Sequence, residues 1–125
     1  MISFNDLTIA NSKRAFERND AGVHCWTPTQ WALGMFGECG EACNIIKKLN
    51  RIETKDPATN ASEFDDLISA LADELADIVI YADLLAQRCD IDLGSMIQTK
   101  FNETSIKVGC ETFLGREIDQ DGELK

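Results

Sequence analysis

The sequence predicts an all-α fold, a helical bundle of four to five helices, from three observations. Apolar residues recur with the helical period of about 3.6 along nearly the whole chain, and no segment shows the alternation typical of a strand. Capping residues and glycines divide this pattern into segments of helical length. Hydrophobic residues make up 44% and charged residues 27% of the 125 residues, which is typical of one globular domain.

The first two helices follow from local signals. The first is predicted over residues 4–18, on a weak apolar stripe that ends in a polar and glycine-containing break. The second begins after Thr27, a natural N-cap. Pro28 suits the first helical position and Gln30 completes a capping box, and the pattern then runs to about Ile52.

The third and fourth helices are bounded in the same way. A polar loop around Pro57 precedes the third helix, which Ser62 is predicted to cap and which extends to about Arg88. Its solvent-exposed face is predicted to carry Asp65, Asp83 and Gln87. Asp92 caps the fourth helix and Gly109 ends it. We therefore expect one domain over residues 1–109, followed by an acidic tail over residues 110–125.

Charge and cysteine content exclude several classes of protein. The net charge of −10 argues against a nucleic acid polymer or an anionic membrane surface as partner. Five cysteines without a CxxC motif indicate a reducing cytoplasm. For Cys39 and Cys43, a zinc site with His24 and Cys25 is the functional alternative. The first residues lack the cationic and apolar features of a signal peptide, so we expect a cytoplasmic protein.

Two of the predicted helices carry acid pairs on the face that should be buried. On the second helix, Glu38 shares a stripe with Trp31, and Glu41 lies about 60° to one side. On the third helix, Glu74 lies on the apolar stripe and Asp77 follows at i+3. Because an unpaired buried carboxylate costs several kcal/mol, the pattern indicates that the four acids share a divalent cation such as Mg²⁺ or Mn²⁺.

Salt bridges and a di-iron centre are the alternatives to a divalent cation at these four acids. Interhelical salt bridges would take Lys47, Lys48 or Arg51 as partners. They are disfavoured because a salt-bridged acid usually lies at the edge of an apolar stripe and not at its centre. A di-iron carboxylate bundle needs Glu-x-x-His on two helices. The only histidine, His24, lies outside both pairs.

The sequence around the acids resembles a known family, the MazG-type all-α nucleoside triphosphate pyrophosphohydrolases. The matching motifs are Glu38-x-x-Glu41 in GECGEAC, Glu74-x-x-Asp77 in LADELADIVIY, and KFNETSIKVG at residues 100–109. The resemblance covers roughly residues 26–109. The chain departs from the family pattern in a longer gap between the acid pairs, with the extra length at residues 54–66, and in Lys107, where many relatives carry arginine.

The resemblance implies a reaction and a metal. A (d)NTP would be cleaved between the α and β phosphates to the monophosphate and pyrophosphate, with Mg²⁺ as cofactor and Mn²⁺ able to substitute. Two long antiparallel helices would carry the metal-binding acids. The most exposed of the four acids could act as the catalytic base instead of a metal ligand, and we choose Glu41 for this role. Removal of non-standard or surplus nucleotides is the expected role.

Further residues are assigned to the substrate. The candidates for phosphate binding are Lys48, Lys100, Asn102 and Lys107, with an ordinary surface position as the alternative for each. The candidates for a flat slot around the base are His24, Trp26 and Trp31, with a packing role as the alternative. The apolar faces of the second and third helices exceed what a four-helix monomer covers. We therefore expect a homodimer or homotetramer with the active site at or near a subunit interface.

Two alternative functions stay open. A dUTP-specific or phosphoribosyl-ATP pyrophosphohydrolase would keep the metal site and change the base pocket. A catalytically silent helical interaction module would keep the fold and bind metal without turnover.

Overall fold

The structure is a computed structural model that describes residues 1–53 and 61–115. Over these ranges the secondary structure is helical and contains no strand, so the all-α prediction is confirmed. The elements are α1 (Phe4–Arg18), a short 3₁₀ helix (Gly22–Cys25), α2 (Pro28–Glu53), α3 (Ala61–Arg88) and α4 (Leu93–Val108). The predicted loop around Pro57 and most of the predicted acidic tail lie outside the described residues.

The chain forms two compact units, Met1–Asp90 and Ile91–Lys125. The first unit contains α1, the 3₁₀ helix, α2 and α3, and the second contains α4. The proposed division into a domain over residues 1–109 and a tail stays a prediction.

Capping interactions fix where the helices begin and end. The Thr27 hydroxyl accepts a hydrogen bond from the Gln30 amide at 3.2 Å, and the Gln30 side chain accepts one from the Thr27 amide at 2.9 Å, which confirms the predicted capping box. Asp92 caps α4, and Gly109 ends it with a left-handed φ of 71°. Helix α3 begins at Ala61, so Ser62 is a helical residue and not the predicted cap.

Helices α2 and α3 pack antiparallel, since residues early in α2 lie beside residues late in α3. Gly34 of α2 lies against Tyr81, whereas Glu41, farther along, lies beside Glu74. A Cβ atom on Gly34 would lie 2.6 Å from the Tyr81 ring, so the glycine permits a close approach of the two helices. This reason applies to Gly34 alone among the three glycines of α2, because Gly37 and Gly40 face open space.

The core of the first unit lies mainly along α2. Its buried apolar side chains are Trp31, Ala42, Ile45, Leu49 and Ile52, with Leu84 and Ala86 from α3. The Trp31 indole N–H donates to the Val23 carbonyl at 2.9 Å, which fixes the ring against the 3₁₀ helix. This contact places the start of α2 beside the segment that precedes it.

Asp83 is buried, with 1% of its surface exposed, and the prediction of a solvated side chain there is wrong. Helix α1 packs over α3 and supplies donors to it. Thr8 donates to Oδ1 at 2.6 Å and Asn11 to Oδ2 at 2.8 Å, and Gln87 of α3 itself donates to Oδ2 at 2.7 Å. Gln87 is half-buried, and only Asp65 of the three predicted surface residues is exposed.

Several large apolar side chains of α2 and α3 are exposed. Leu33 and Phe36 of α2 keep 65% and 67% of their surface exposed, and Ile68, Leu75 and Val79 of α3 are exposed as well. These side chains are consistent with the expectation of apolar faces larger than one chain covers. No helix in the described part of the chain combines the length and apolar content needed to cross a membrane.

Candidate metal centre and adjoining cavity

Three carboxylates from two helices meet at one point of the first unit. Glu38 and Glu41 lie one turn apart on α2, and Glu74 comes from α3. Each offers an oxygen, and these oxygens all lie within 4.8 Å of one another. Glu38 and Glu74 are half-buried and Glu41 is exposed, so the cluster is open to solvent on one side.

Glu74 is the least satisfied member of the cluster. Its Oε2 atom is buried and has no hydrogen-bond partner among the described residues. Burial raises the pKa of Glu74 from its ordinary value of 4.5 to about 7, and contact with Glu38 and the negative charge of Glu41 act in the same direction. A proton or a cation is therefore needed to hold the three groups together.

The donor set fits a hard divalent cation. All three groups offer carboxylate oxygens, and the cluster contains neither nitrogen nor sulfur ligands. A cation would give the orphaned Glu74 oxygen the partner it lacks. Mg²⁺ usually keeps several waters or substrate oxygens in its shell, and three protein carboxylates suit that behaviour.

Asp77, the fourth predicted ligand, takes a neighbouring position. Asp77 does not belong to the group of acids whose oxygens lie within 4.8 Å of one another. It lines a cavity together with Glu38. The salt-bridge alternative finds no support at the lysines of α2. In the described ranges, neither Lys47 nor Lys48 forms an ion pair within 4 Å with the four acids.

The cavity beside the acids has a volume of about 500 Å³, within the range of small-molecule sites. Its wall combines three kinds of side chain. They are the acids Glu38 and Asp77, the aromatic residues Trp26, Trp31 and Tyr81, and the basic residues Arg14 and Arg18. A pocket that joins acidic, flat apolar and basic groups suits a ligand with an aromatic ring and several negative charges.

Two tryptophans and a tyrosine form the aromatic part of the wall. The ring centroids of Trp26 and Trp31 lie 4.6 Å apart, and those of Trp31 and Tyr81 lie 6.2 Å apart, both pairs tilted. Trp31 is 8% exposed and mainly a core residue, whereas Trp26 is 39% exposed and can present more of its ring to a ligand. His24 is exposed on the 3₁₀ helix and is not among the residues that line the cavity.

The predicted phosphate-binding residues lie in different places. Lys48 is exposed on α2, two turns beyond Glu41. Lys100 and Asn102 belong to α4 in the second unit. Lys100 pairs with Glu103 at 3.3 Å on the surface.

The Asn102 side chain ties the chain that follows α4 to the helix. It accepts from the Leu114 amide at 2.8 Å and donates to the Leu114 carbonyl at 3.1 Å. Lys107 is exposed in the last turn of the same helix. Substrate contact by any of these residues stays a prediction.

Two arginines of α1 line the cavity and were not among the predicted site residues. Arg14 and Arg18 are spaced i, i+4, and both continue the stripe that contains Leu7 and Asn11. Both arginines are exposed, and the available signal is their place on the helix stripe that contains the buried Asn11. The weak apolar character of α1 obscured it.

Comparison with known proteins assigns no family. No protein-family model matches the chain, and a search of curated proteins found no match. The fold and the site define an all-α protein with a carboxylate cluster beside a cavity. The likeness to MazG-type hydrolases rests on the sequence motifs and stays a prediction.

Proposed function

We propose that the protein is a metal-dependent nucleotide pyrophosphohydrolase of the MazG-like class. It would cleave a (d)NTP between the α and β phosphates, giving the monophosphate and pyrophosphate. The observation that carries this proposal is the buried, unpartnered oxygen of Glu74 beside the carboxylates of Glu38 and Glu41. An acidic chain that handles phosphates needs a divalent cation, and this cluster is suited to hold one.

The proposed roles follow from exposure and position. Glu38, Glu41 and Glu74 would hold Mg²⁺, or Mn²⁺ in its place, with Asp77 facing the substrate from the cavity wall. When bound, Mg²⁺ supplies charge that shields the triphosphate and makes a nearby water more acidic. Glu41 is exposed and can accept a proton from this water while the water oxygen bonds to the α-phosphorus. The bridging P–O bond breaks and pyrophosphate leaves.

The base would occupy the aromatic part of the cavity. Trp26 offers an accessible ring face, and Trp31 and Tyr81 form the wall behind it. Stacking on aromatic rings tolerates every base, so this surface alone favours broad specificity. The expected role is therefore removal of non-standard or surplus nucleotides in the cytoplasm.

An oligomer fits the exposed apolar residues of the long helices. Leu33 and Phe36 on α2 and Leu75 on α3 would be covered in a homodimer or homotetramer. Sedimentation of the wild type and of Phe36→Asp tests this part. If the wild type sediments as a monomer, the proposed oligomer is contradicted.

The test of the activity is pyrophosphate release from a panel of NTPs and dNTPs with Mg²⁺. We expect release by the wild type, loss with EDTA, and a fall of about 100-fold or more in Glu41→Gln and Glu74→Gln. Glu63→Gln is the matched control, because Glu63 is an exposed acid in the first turn of α3. Activity of Glu74→Gln equal to that of the wild type contradicts the proposal.

The same panel separates the alternatives. Release from a single nucleotide favours a dUTP-specific or phosphoribosyl-ATP enzyme. Metal binding without any release favours a silent interaction module.

A further inference from the structure

Two arginines line the cavity on the side formed by α1. Arg14 and Arg18 lie one turn apart, and both contribute to the wall that contains Glu38 and Asp77. Neither arginine forms an ion pair within 4 Å with an acid of the described residues. In a chain with a net charge of −10, two arginines left unpaired at a cavity suit a negatively charged ligand.

The register of α1 on α3 brings these arginines to the level of the acids. Thr8 contacts Asp83, and Asn11, one turn later, reaches back to the Ile80 carbonyl. The helices therefore run antiparallel, and each turn along α1 moves its contact about one turn back along α3. Arg14 and Arg18 follow Asn11 by one and two turns of α1, so they lie toward the part of α3 that bears the acids.

Arg14 is held in place by a buried amide. Asn11 is 2% exposed, and its Nδ2 donates to Asp83 Oδ2 at 2.8 Å and to the Ile80 carbonyl at 3.3 Å. This leaves Oδ1 of Asn11 to accept a hydrogen bond from Arg14 Nη2 at 3.0 Å. Because Asp83 accepts but cannot donate when ionised, it fixes which way the amide points. Asn11 is thus a positioning residue for Arg14.

We propose that Arg14 and Arg18 bind the phosphate groups of the nucleotide across the cavity from the acids. This inference rests on the proposed function. A guanidinium presents a planar set of N–H donors that matches phosphate oxygens, and only one of those of Arg14 is used by Asn11. The arginines would balance the triphosphate charge that the carboxylates repel. They take the role that was predicted from the sequence for lysines of α2 and α4.

Calorimetric binding with Mg²⁺ tests the inference. The probes are inorganic tripolyphosphate and an α,β-methylene nucleoside triphosphate, which keeps the charged terminal oxygens but has a methylene group in place of the α–β bridging oxygen and is not cleaved there. The variants are Arg14→Gln and Arg18→Gln. Lys13→Gln is the matched control: it removes the same charge from the same helix, and Lys13 pairs with Glu17 at the surface and does not line the cavity.

Each arginine variant is expected to bind both probes about ten-fold to a hundred-fold more weakly than the wild type does. Lys13→Gln is expected to change the affinity by less than about two-fold. Mn²⁺ affinity should stay at the wild-type value in all three variants, which shows that the acid cluster is intact. Asn11→Ala alone should weaken tripolyphosphate binding, but added to Arg14→Gln it should weaken the binding no further. A purely structural role of Asn11 does not produce this non-additivity.

The outcomes distinguish this inference from the proposed function. If the arginine variants bind both probes as tightly as Lys13→Gln does, and the protein still releases pyrophosphate, the inference is overturned and the proposed function stands. A wild type that binds neither probe and releases no pyrophosphate overturns both.

Discussion

Glu38 of α2 and Glu74 of α3 face each other across the helix pair with carboxylate oxygens within 4.8 Å. Neither acid is paired with a basic side chain in the described parts of the chain. Two ionised carboxylates at this separation repel, and burial of the Glu74 oxygen strengthens the repulsion. Positive charge at the site, from a proton or a metal ion, therefore relieves this repulsion and stabilises the cluster.

The metal-free protein should lose stability as the pH rises from about 4.5 to 7. Burial raises the pKa of Glu74 to about 7 from an ordinary value of 4.5. The folded state then keeps a proton that the unfolded chain releases, so the contribution of Glu74 to the free energy of unfolding is greatest below about 4.5 and falls through this range. Urea unfolding in EDTA at several pH values measures the slope. Glu74→Gln should flatten it, and an equal slope in that variant contradicts the prediction.

Two acids with lowered pKa values affect stability in a different pH range. Asp6 is the third residue of α1 and belongs to the capping box of Ser3, and Asp92 is the N-cap of α4. Backbone hydrogen bonds from Ser3 and Ser95, respectively, hold the pKa of each below its ordinary value of 3.8. Their stabilisation is present above that value and is lost in more acidic solution. The two effects therefore fall in separate pH ranges.

Mn²⁺ or Mg²⁺ should raise the melting temperature, and more so above pH 7. A cation that binds only the folded state stabilises it by mass action, and at lower pH the Glu74 proton competes with it. Melting curves with increasing Mn²⁺ at pH 6 and pH 8 measure the effect. We expect the shift to disappear in Glu38→Gln and Glu74→Gln and to persist in Glu63→Gln. A shift of the same size in all four proteins indicates that the cation binds elsewhere.

Much of the fold and part of the site can be predicted from sequence, because both depend on local signals. The capping box at Thr27 and the left-handed glycine at Gly109 act within a few residues, and they give helix ends that the structure confirms. The sequence predicts the acids as site residues because a carboxylate on an apolar stripe is visible in the helical period alone. Glu38 and Glu74 needed only the further fact that their helices pack together.

The rest depends on contacts between distant segments. Asp83 has the sequence pattern of a surface acid, and only the packing of α1 supplies the Thr8 and Asn11 donors that allow its burial. The position of Arg14 at the cavity depends on the same packing. Helical period assigns a residue to a face, but it does not say which neighbour covers that face.

Gly34→Ala and Gly37→Ala should change stability in opposite directions. A Cβ atom at Gly34 meets the Tyr81 ring at 2.6 Å, so the ring or the helices must shift, at a cost of about 1–3 kcal/mol. A Cβ atom at Gly37 meets nothing within 4 Å, and alanine there should stabilise the helix by up to about 1 kcal/mol. Urea unfolding measures both. Destabilisation by Gly37→Ala contradicts the second half and indicates that another molecule packs on that face.

Asp83→Asn should destabilise the first unit although the side chain keeps its size and shape. The carboxylate accepts hydrogen bonds from Thr8, Asn11 and Gln87 through both oxygens, whereas an asparagine has one oxygen and a donor amide. An amide in place of Oδ2 would face the Asn11 and Gln87 donors, whereas an amide in place of Oδ1 would require the Thr8 hydroxyl to turn and accept. In either orientation the hydrogen bonds to a charged carboxylate are lost, which costs about 1–3 kcal/mol. Asp65→Asn, at an exposed position of the same helix, removes the same charge and should stay within about 0.5 kcal/mol of the wild type. Equal stability of the two variants in urea would show that the buried network contributes nothing to holding α1 on α3.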